Sequence, residues 1–149
     1  MHCKDIQQQL KKFETTCRNL NLKVTHQRLE IFHQLLLADD HPTAEILHSR
    51  LAESLPTLSL DTVYRTLTTY EKHNLIRRIE TKESHARYEI ATTLHHHFIC
   101  DDCGQVKDFF WPDFDTMPAP GTVAELGQIR RKNAVIHGIC PECSKHNSE

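Results

Sequence analysis

Twelve histidines and six cysteines in a chain of 149 residues form a metal-binding complement, and their spacing divides them into two chemistries. Four of the cysteines fall into two pairs, Cys100-x-x-Cys103 and Cys140-x-x-Cys143, with 36 residues between them. Each pair has turn chemistry beside it, Gly104 after the first and Pro141 inside the second. Two such knuckles supply the closed set of four thiolates that Zn²⁺ prefers in structural sites, and a small C-terminal domain with little core needs such a staple. A thiol redox pair is the competing chemistry; against it, neither pair reads as the strand-to-helix setting of a thioredoxin-like motif.

The second chemistry mixes nitrogen and oxygen. His95-His96-His97 precedes the first knuckle, and on an extended strand His95 and His97 share a face while His96 points away. With Asp108 on a neighbouring strand, Glu89 at the end of a hairpin and His41 in the helical half, a set suited to Fe²⁺, Mn²⁺ or Zn²⁺ can be assembled. Spacing alone leaves a solvated polar hinge as an equal account of these residues.

Positioning these groups falls to elements legible from periodicity. Ile6, Leu10, Phe13, Cys17 and Leu20 recur at three and four, predicting a helix over 4–19. Thr25 caps a second helix with Leu29, Phe32, Leu35 and Leu36 inward, ending before Asp39-Asp40-His41-Pro42, and Thr43 caps a third with Ile46, Leu47 and Leu51. Ser59 caps a fourth over 60–73, with Val63, Leu67 and Tyr70 on one side; 75–80 and 86–90 read as a hairpin. This order is a winged helix-turn-helix. From His95 the composition shifts to Cys, His and Asp; the apolar runs 106–111 and 134–139 read as strands, and Pro112, Pro118 and Pro120 keep any helix between them short. The expected fold is α+β: a winged-helix domain over 1–90, a hinge over 91–94, and a small α/β dimerisation and metal-binding domain over 95–149 with a four-cysteine zinc site.

Hydrophobic residues at 38% and charged residues at 26% describe an ordinary soluble chain. No apolar run approaches a membrane span, and the N-terminus enters an amphipathic pattern with no h-region, so a cytoplasmic protein with no membrane partner is expected. Net charge is only −2; residues 1–94 carry 13 Lys and Arg against 12 Asp and Glu, and residues 95–149 carry 5 against 8. Bulk charge therefore gives no nucleic-acid footprint. Arg65, Arg77, Arg78, Lys82, His85 and Arg87 fall on the recognition helix and wing, but Asp61, Glu71, Glu80 and Glu83 are interleaved with them, and by spacing a solvated face explains them as well.

Taken together, His41-Pro42-Thr43-Ala44, Asp61-Thr62-Val63-Tyr64-Arg65-Thr66-Leu67, Arg87-Tyr88-Glu89, His95-His96-His97-Phe98-Ile99-Cys100-Asp101-Asp102-Cys103-Gly104 and Gly138-Ile139-Cys140-Pro141-Glu142-Cys143 resemble the ferric uptake regulator family over about residues 20–143. The resemblance implies a homodimeric, metal-dependent transcriptional repressor rather than an enzyme, with double-stranded operator DNA as partner and no small organic substrate. It implies structural zinc on Cys100, Cys103, Cys140 and Cys143, and a regulatory Fe²⁺ or Mn²⁺ held by His41, Glu89, His95, His97 and Asp108. DNA contacts are expected from Thr62, Tyr64, Arg65, Thr66, Arg77, Arg78, Lys82 and Arg87. Within the family the short C-terminal half, His-Pro-Thr-Ala and Asp108 look most like the peroxide-sensing branch, in which the imidazoles matching His41 and His95 are oxidised.

Two departures favour iron sensing, and an iron-responsive or zinc-responsive repressor is the alternative. Glu89 stands where the best-known peroxide sensors have Asp, and Arg65 where they have Asn. His96, Arg131 and Lys132 replace residues of an additional C-terminal metal site, which the resemblance therefore does not extend to this chain; Pro118 and Pro120 interrupt the usual dimerisation helix, and His26 replaces a usual Pro. Cys3 and Cys17 read as a frayed-end thiol and a packing residue, His137 as a strand residue. A metal-dependent hydrolase is the weaker reading, since neither His-Glu-x-x-His, Gly-x-Ser-x-Gly nor a deaminase signature occurs. A zinc-stapled interaction module is the third.

Overall fold

The computed structural model describes residues 3–81, 85–91 and 94–147, with Cys3 and Lys4 described in backbone only. It forms two compact units, Met1–Ala91 and Thr92–Glu149.

The first unit is a winged helix: α1 (Cys3–Asn19), α2 (His26–Leu37), α3 (Ala44–Leu51) and α4 (Leu60–Lys72), then an antiparallel hairpin of β1 (Ile76–Ile79) and β2 (Arg87–Ile90). Three helices start where a hydroxyl can accept a free backbone N–H: Thr25 from Arg28, Thr43 from Ile46 and Ser59 from Thr62. Each such cap contributes about 1 kcal/mol. Two helices end on asparagine in the left-handed region, Asn21 at φ 57° after α1 and Asn74 at φ 58° after α4. In each case the next residue's N–H reaches five residues back, Leu22 to the Cys17 carbonyl and Leu75 to that of Tyr70, a C-cap that reverses the chain within one turn.

The apolar stripes predicted from spacing meet in one core. Ile31, Leu47, Leu51, Val63 and Leu67 are fully buried, and Phe13 of α1 stacks on Phe32 of α2 at 3.8 Å with Tyr70 of α4 edge-on to both. The Tyr70 hydroxyl donates to the Arg28 carbonyl at 2.6 Å, which satisfies the one polar atom this cluster buries. Cys17 is 3% exposed in the same core and burial raises its thiol pKa, the environment of an inert packing residue.

In the second unit β3 (His96–Cys100) lies between β4 (Val106–Phe109), antiparallel to it, and β5 (Val135–Gly138), parallel to it. The crossover to β5 carries two short helices, α5 (Pro112–Thr116) and α6 (Gly121–Leu126), separated by the segment holding Pro118 and Pro120. Both strands are shorter than their apolar runs. Pro112 opens α5 and ends the first run early, and Gly138 closes the second where a Cβ would lie 3.0 Å from the Phe98 ring. A final helix α7 (Pro141–His146), absent from the sequence reading, starts on Cys140.

Candidate metal centres

The four cysteines of the knuckles converge. One ligand atom from each lies within 4.8 Å of every other, and Cys103 Sγ is 3.9 Å from Cys140 Sγ. That spacing is far beyond a disulfide and matches the edge of about 3.8 Å of a sulfur tetrahedron around Zn²⁺ with bonds of about 2.3 Å. Backbone geometry builds each knuckle. Gly104, at φ 72°, turns the chain so that its N–H reaches the Cys100 carbonyl at 2.9 Å; Cys140 N–H donates to Cys100 Sγ at 3.3 Å, and Cys143 N–H to Cys140 Sγ at 3.5 Å. Backbone N–H groups from Cys103 and Cys140 draw the Cys100 thiol down to about 6, whereas its hydrogen bond to Cys140 holds the Cys143 thiol up. Four thiols so close cannot all ionise without a cation among them, and a divalent metal removes that conflict. One sequence expectation needs correction: the second knuckle does follow a strand and open a helix. Convergence of four sulfurs, rather than the local setting, is what separates it from a redox pair.

The nitrogen and oxygen ligands form a pair in the first unit and a triad in the second. In the first, His41 occupies a left-handed backbone position at φ 51°, uncommon for a side chain with a Cβ. Its loop is tied to β2 at three points: Arg87 Nη1 donates to the His41 carbonyl at 3.2 Å, Tyr88 N–H to the Pro42 carbonyl at 3.0 Å, and Thr43 bridges Arg87. The result places His41 Nε2 3.2 Å from Glu89 Oε2, with the two side chains 7% and 9% exposed. Arg77, paired across the hairpin with Glu89, brings its Nη1 to 3.9 Å from the other carboxylate oxygen.

In the second unit the register pairs His97 with Asp108. His95, just before β3, faces the same way, its ring edge-on to His97 with centroids 4.9 Å apart. Both Nε2 atoms lie 3.4 Å from the same Asp108 oxygen. Ligands bound at 2.0–2.2 Å stand roughly 3.0–3.5 Å from one another around one ion, so the three donors have the separation that a shared metal requires. His96 does face away, as strand alternation predicts. It is fully buried against Phe109 and Phe114, accepts the Ala134 N–H on Nδ1 at 3.0 Å and meets Asp115 through Nε2 at 2.9 Å. Because a backbone N–H only donates, the proton of this ring sits on Nε2 and is given to Asp115. His96 is a clamp between β3, α5 and the approach to β5. Exposed His137 pairs with Asp101 at 3.2 Å.

The residues expected on DNA scatter in accessibility. Tyr64 and Arg65 are exposed on α4, and Arg65 lies 2.9 Å from Asp61 one turn earlier. On the wing Arg78 pairs with Glu80 at 2.8 Å. Thr62 is part-buried at the start of α4, its hydroxyl 2.8 Å from that of Ser59. Thr66, by contrast, is 3% exposed because it faces the core side of α4. Arg77 turns toward Glu89 and Arg87 toward the His41 loop; Lys82 lies outside the described residues. Sequence reasoning missed Glu45, which accepts a hydrogen bond from the Tyr64 hydroxyl and stands 3.4 Å from His85. No local signal marks a contact 19 residues apart.

A winged helix followed by a small α/β domain with a four-cysteine centre and a histidine-carboxylate triad defines a metal-dependent regulator architecture. The family model of the ferric uptake regulator family matches residues 19–132, and the chain belongs to that family. It is 28% identical to the peroxide operon regulator of Bacillus subtilis (strain 168) over 137 residues, 92% of this chain and 94% of that protein. Among solved structures it is similar to the ferric uptake regulator of Helicobacter pylori, with a TM-score of 0.76, 26% identity and 93% of each chain covered. It is also similar to the ferric uptake regulator of Pseudomonas aeruginosa with manganese, with a TM-score of 0.70, 28% identity and coverage of 86% of this chain and 97% of that one.

Proposed function

We propose that this protein is a homodimeric, metal-dependent DNA-binding repressor that senses hydrogen peroxide through oxidation of histidine ligands. The observation that carries this reading is the convergence of His95 and His97 on one Asp108 oxygen, each at 3.4 Å, beside four cysteines already spaced for zinc. In this reading Cys100, Cys103, Cys140 and Cys143 hold structural Zn²⁺, and the His95–His97–Asp108 triad joins the His41–Glu89 pair around regulatory Fe²⁺ or Mn²⁺. Ligands drawn from both units are what a switch requires, because a metal shifts a conformational equilibrium only by binding one arrangement better. At 100 times its dissociation constant, a metal bound only to the DNA-competent arrangement favours it by about 2.7 kcal/mol.

Iron, if bound there, would supply the two-electron reduction of hydrogen peroxide in which one oxygen goes to an adjacent imidazole carbon and the other leaves as water. The family resemblance assigns that oxygen to His41 and His95. An oxidised ring would be a poorer donor, so the regulatory metal would be held less tightly and the operator released. Tyr64, Arg65 and Arg78 are the exposed groups offered to DNA; the weak surface pairings of Arg65 with Asp61 and of Arg78 with Glu80 are readily exchanged for phosphate.

Homodimer formation is supported by the apolar surface of the second unit. Edge strand β5 leaves Val135 and Ile136 more than 40% exposed, followed by Ile139 at 43%; Phe110 is 72% and Leu126 86% exposed. An open edge beside apolar surface is what a protein either covers or risks aggregating through. Among the described residues no helix is long and apolar enough to cross a membrane.

Iron sensing is the second reading, favoured by Glu89 and Arg65 where peroxide sensors carry Asp and Asn. One experiment separates the two: peptide mass spectrometry of Fe²⁺-loaded protein after brief exposure to low hydrogen peroxide, with a Mn²⁺-loaded control. A gain of one oxygen on His41 or His95 in the iron form only, with loss of operator binding, is the expected result. Unmodified histidines with operator binding still governed by metal would move the assignment to iron sensing.

A further inference from the structure

Glu89 faces two basic side chains, and they differ in one decisive respect. His41 Nε2 at 3.2 Å becomes a metal ligand simply by presenting its lone pair. Arg77 Nη1 at 3.9 Å cannot become one: a guanidinium has no acceptor and does not lose its proton in a protein. Its position is not incidental, since β1 and β2 pair Arg77 directly with Glu89, and opposite charges at such a register are held face to face. Both lie in a restricted space, with the Arg77 side chain 24% exposed and that of Glu89 9%, where screening is weaker than on the open surface.

We propose that Arg77 is a built-in competitor for Glu89 that sets the metal concentration at which the regulatory site fills. The proposal rests on Glu89 being a ligand of that site. With the metal absent, the guanidinium compensates the carboxylate. A divalent ion entering beside His41 must then take Glu89 from Arg77 and tolerate a fixed positive charge nearby. At 3.9 Å the pair exceeds hydrogen-bond length, so Arg77 does not orient the carboxylate as an outer-shell hydrogen bond would, and its removal should strengthen metal binding rather than weaken it. The sequence placed Arg77 among DNA contacts because basic wing residues usually serve that purpose; its cross-strand position gives it a second role, as a residue that tunes metal affinity.

The test is a Mn²⁺ titration of the full-length, zinc-loaded chain without DNA, against a competing chelator, for wild type, Arg77→Gln, Glu89→Gln and the double variant. Thermal melts check that each is folded. Arg77→Gln is expected to bind Mn²⁺ about tenfold more tightly, and Glu89→Gln at least tenfold more weakly. In the Glu89→Gln background there is no carboxylate to compete for, so Arg77→Gln should then gain less than it does in the wild-type background, about twofold. Unchanged or weakened Mn²⁺ binding in Arg77→Gln, with Glu89→Gln still impaired, would overturn the competitor role and leave Glu89 a ligand. Unimpaired binding in Glu89→Gln would instead remove Glu89 from the regulatory site, and the competitor role with it.

Discussion

His41 and Glu89 stand 3.2 Å apart although 48 positions separate them in the chain, and the strand that carries Glu89 also holds the loop that carries His41. Arg87 and Tyr88, immediately before Glu89, donate to the carbonyls of His41 and Pro42. The pair is thus positioned within the winged helix by backbone-directed hydrogen bonds, without help from a ligand.

The positive φ of His41 separates its structural cost from its role. His41→Gly should keep the winged helix as stable as wild type, whereas His41→Val should cost about 1–2 kcal/mol, since a β-branched residue resists the left-handed region. Both should abolish Mn²⁺-dependent operator binding. Denaturant unfolding together with a gel shift, with and without Mn²⁺, checks the two effects separately.

Cys140 supports the second unit twice, through its sulfur and as the first residue of the turn into α7. Replacing it with Ser should eliminate zinc binding and unfold that unit while the far-ultraviolet helical signal of the first persists. Elemental analysis and hydrogen exchange read this out; protection of 96–100 persisting after zinc loss would refute a structural role.

His96 should behave as a clamp rather than a ligand. His96→Leu strands the Ala134 N–H and the partly exposed Asp115 carboxylate, at an expected loss of about 2–3 kcal/mol. The folded fraction should still bind metal with unchanged stoichiometry. Loss of one metal equivalent from folded protein would assign His96 to a site.

The Tyr64–Glu45 contact predicts a pH signature. Its hydrogen bond to Glu45 holds the Tyr64 hydroxyl up to about 12, and Tyr64 holds Glu45 below its ordinary 4.5. Glu45 is depressed in the folded state, so its contribution is present above 4.5 and fades as pH falls through its lowered value. Tyr64 is raised, so its contribution is full below 10 and fades as pH rises toward 12. The stability difference between wild type and Tyr64→Phe should be greatest between those limits, small because both groups are over a third exposed, and vanish at either extreme. A difference independent of pH would rule out the contact.

Sequence periodicity located the helices well because three of them start at hydroxyl caps and bury stripes at helical spacing, both local properties. The two knuckles were legible for a similar reason: cysteine pairs at fixed spacing carry their own geometry. The contacts of Arg77 with Glu89 and of Glu45 with Tyr64 were not legible. Each is defined by a partner brought near by tertiary packing, Glu89 across a hairpin and Tyr64 on another helix, and neither partner is encoded by spacing. Helix α7 was missed because six residues are too few to show a period, and Thr66 came among the expected DNA contacts with the family motif over 61–67, which does not say which side of α4 a threonine faces.

The parallel pairing of β3 with β5 has a consequence for how the chain is made. The winged helix holds all its core residues by position 91 and can close while translation continues. The second unit cannot, because β3 waits for a neighbour emerging some 35 residues later, and its sulfur clasp is incomplete until Cys143 appears. A newly made chain therefore passes through an interval in which the reading head is finished and its controlling half is not. The sulfur clasp can close only after both knuckles have emerged, so a metal bound there acts at the last stage of the chain's folding and not at the first.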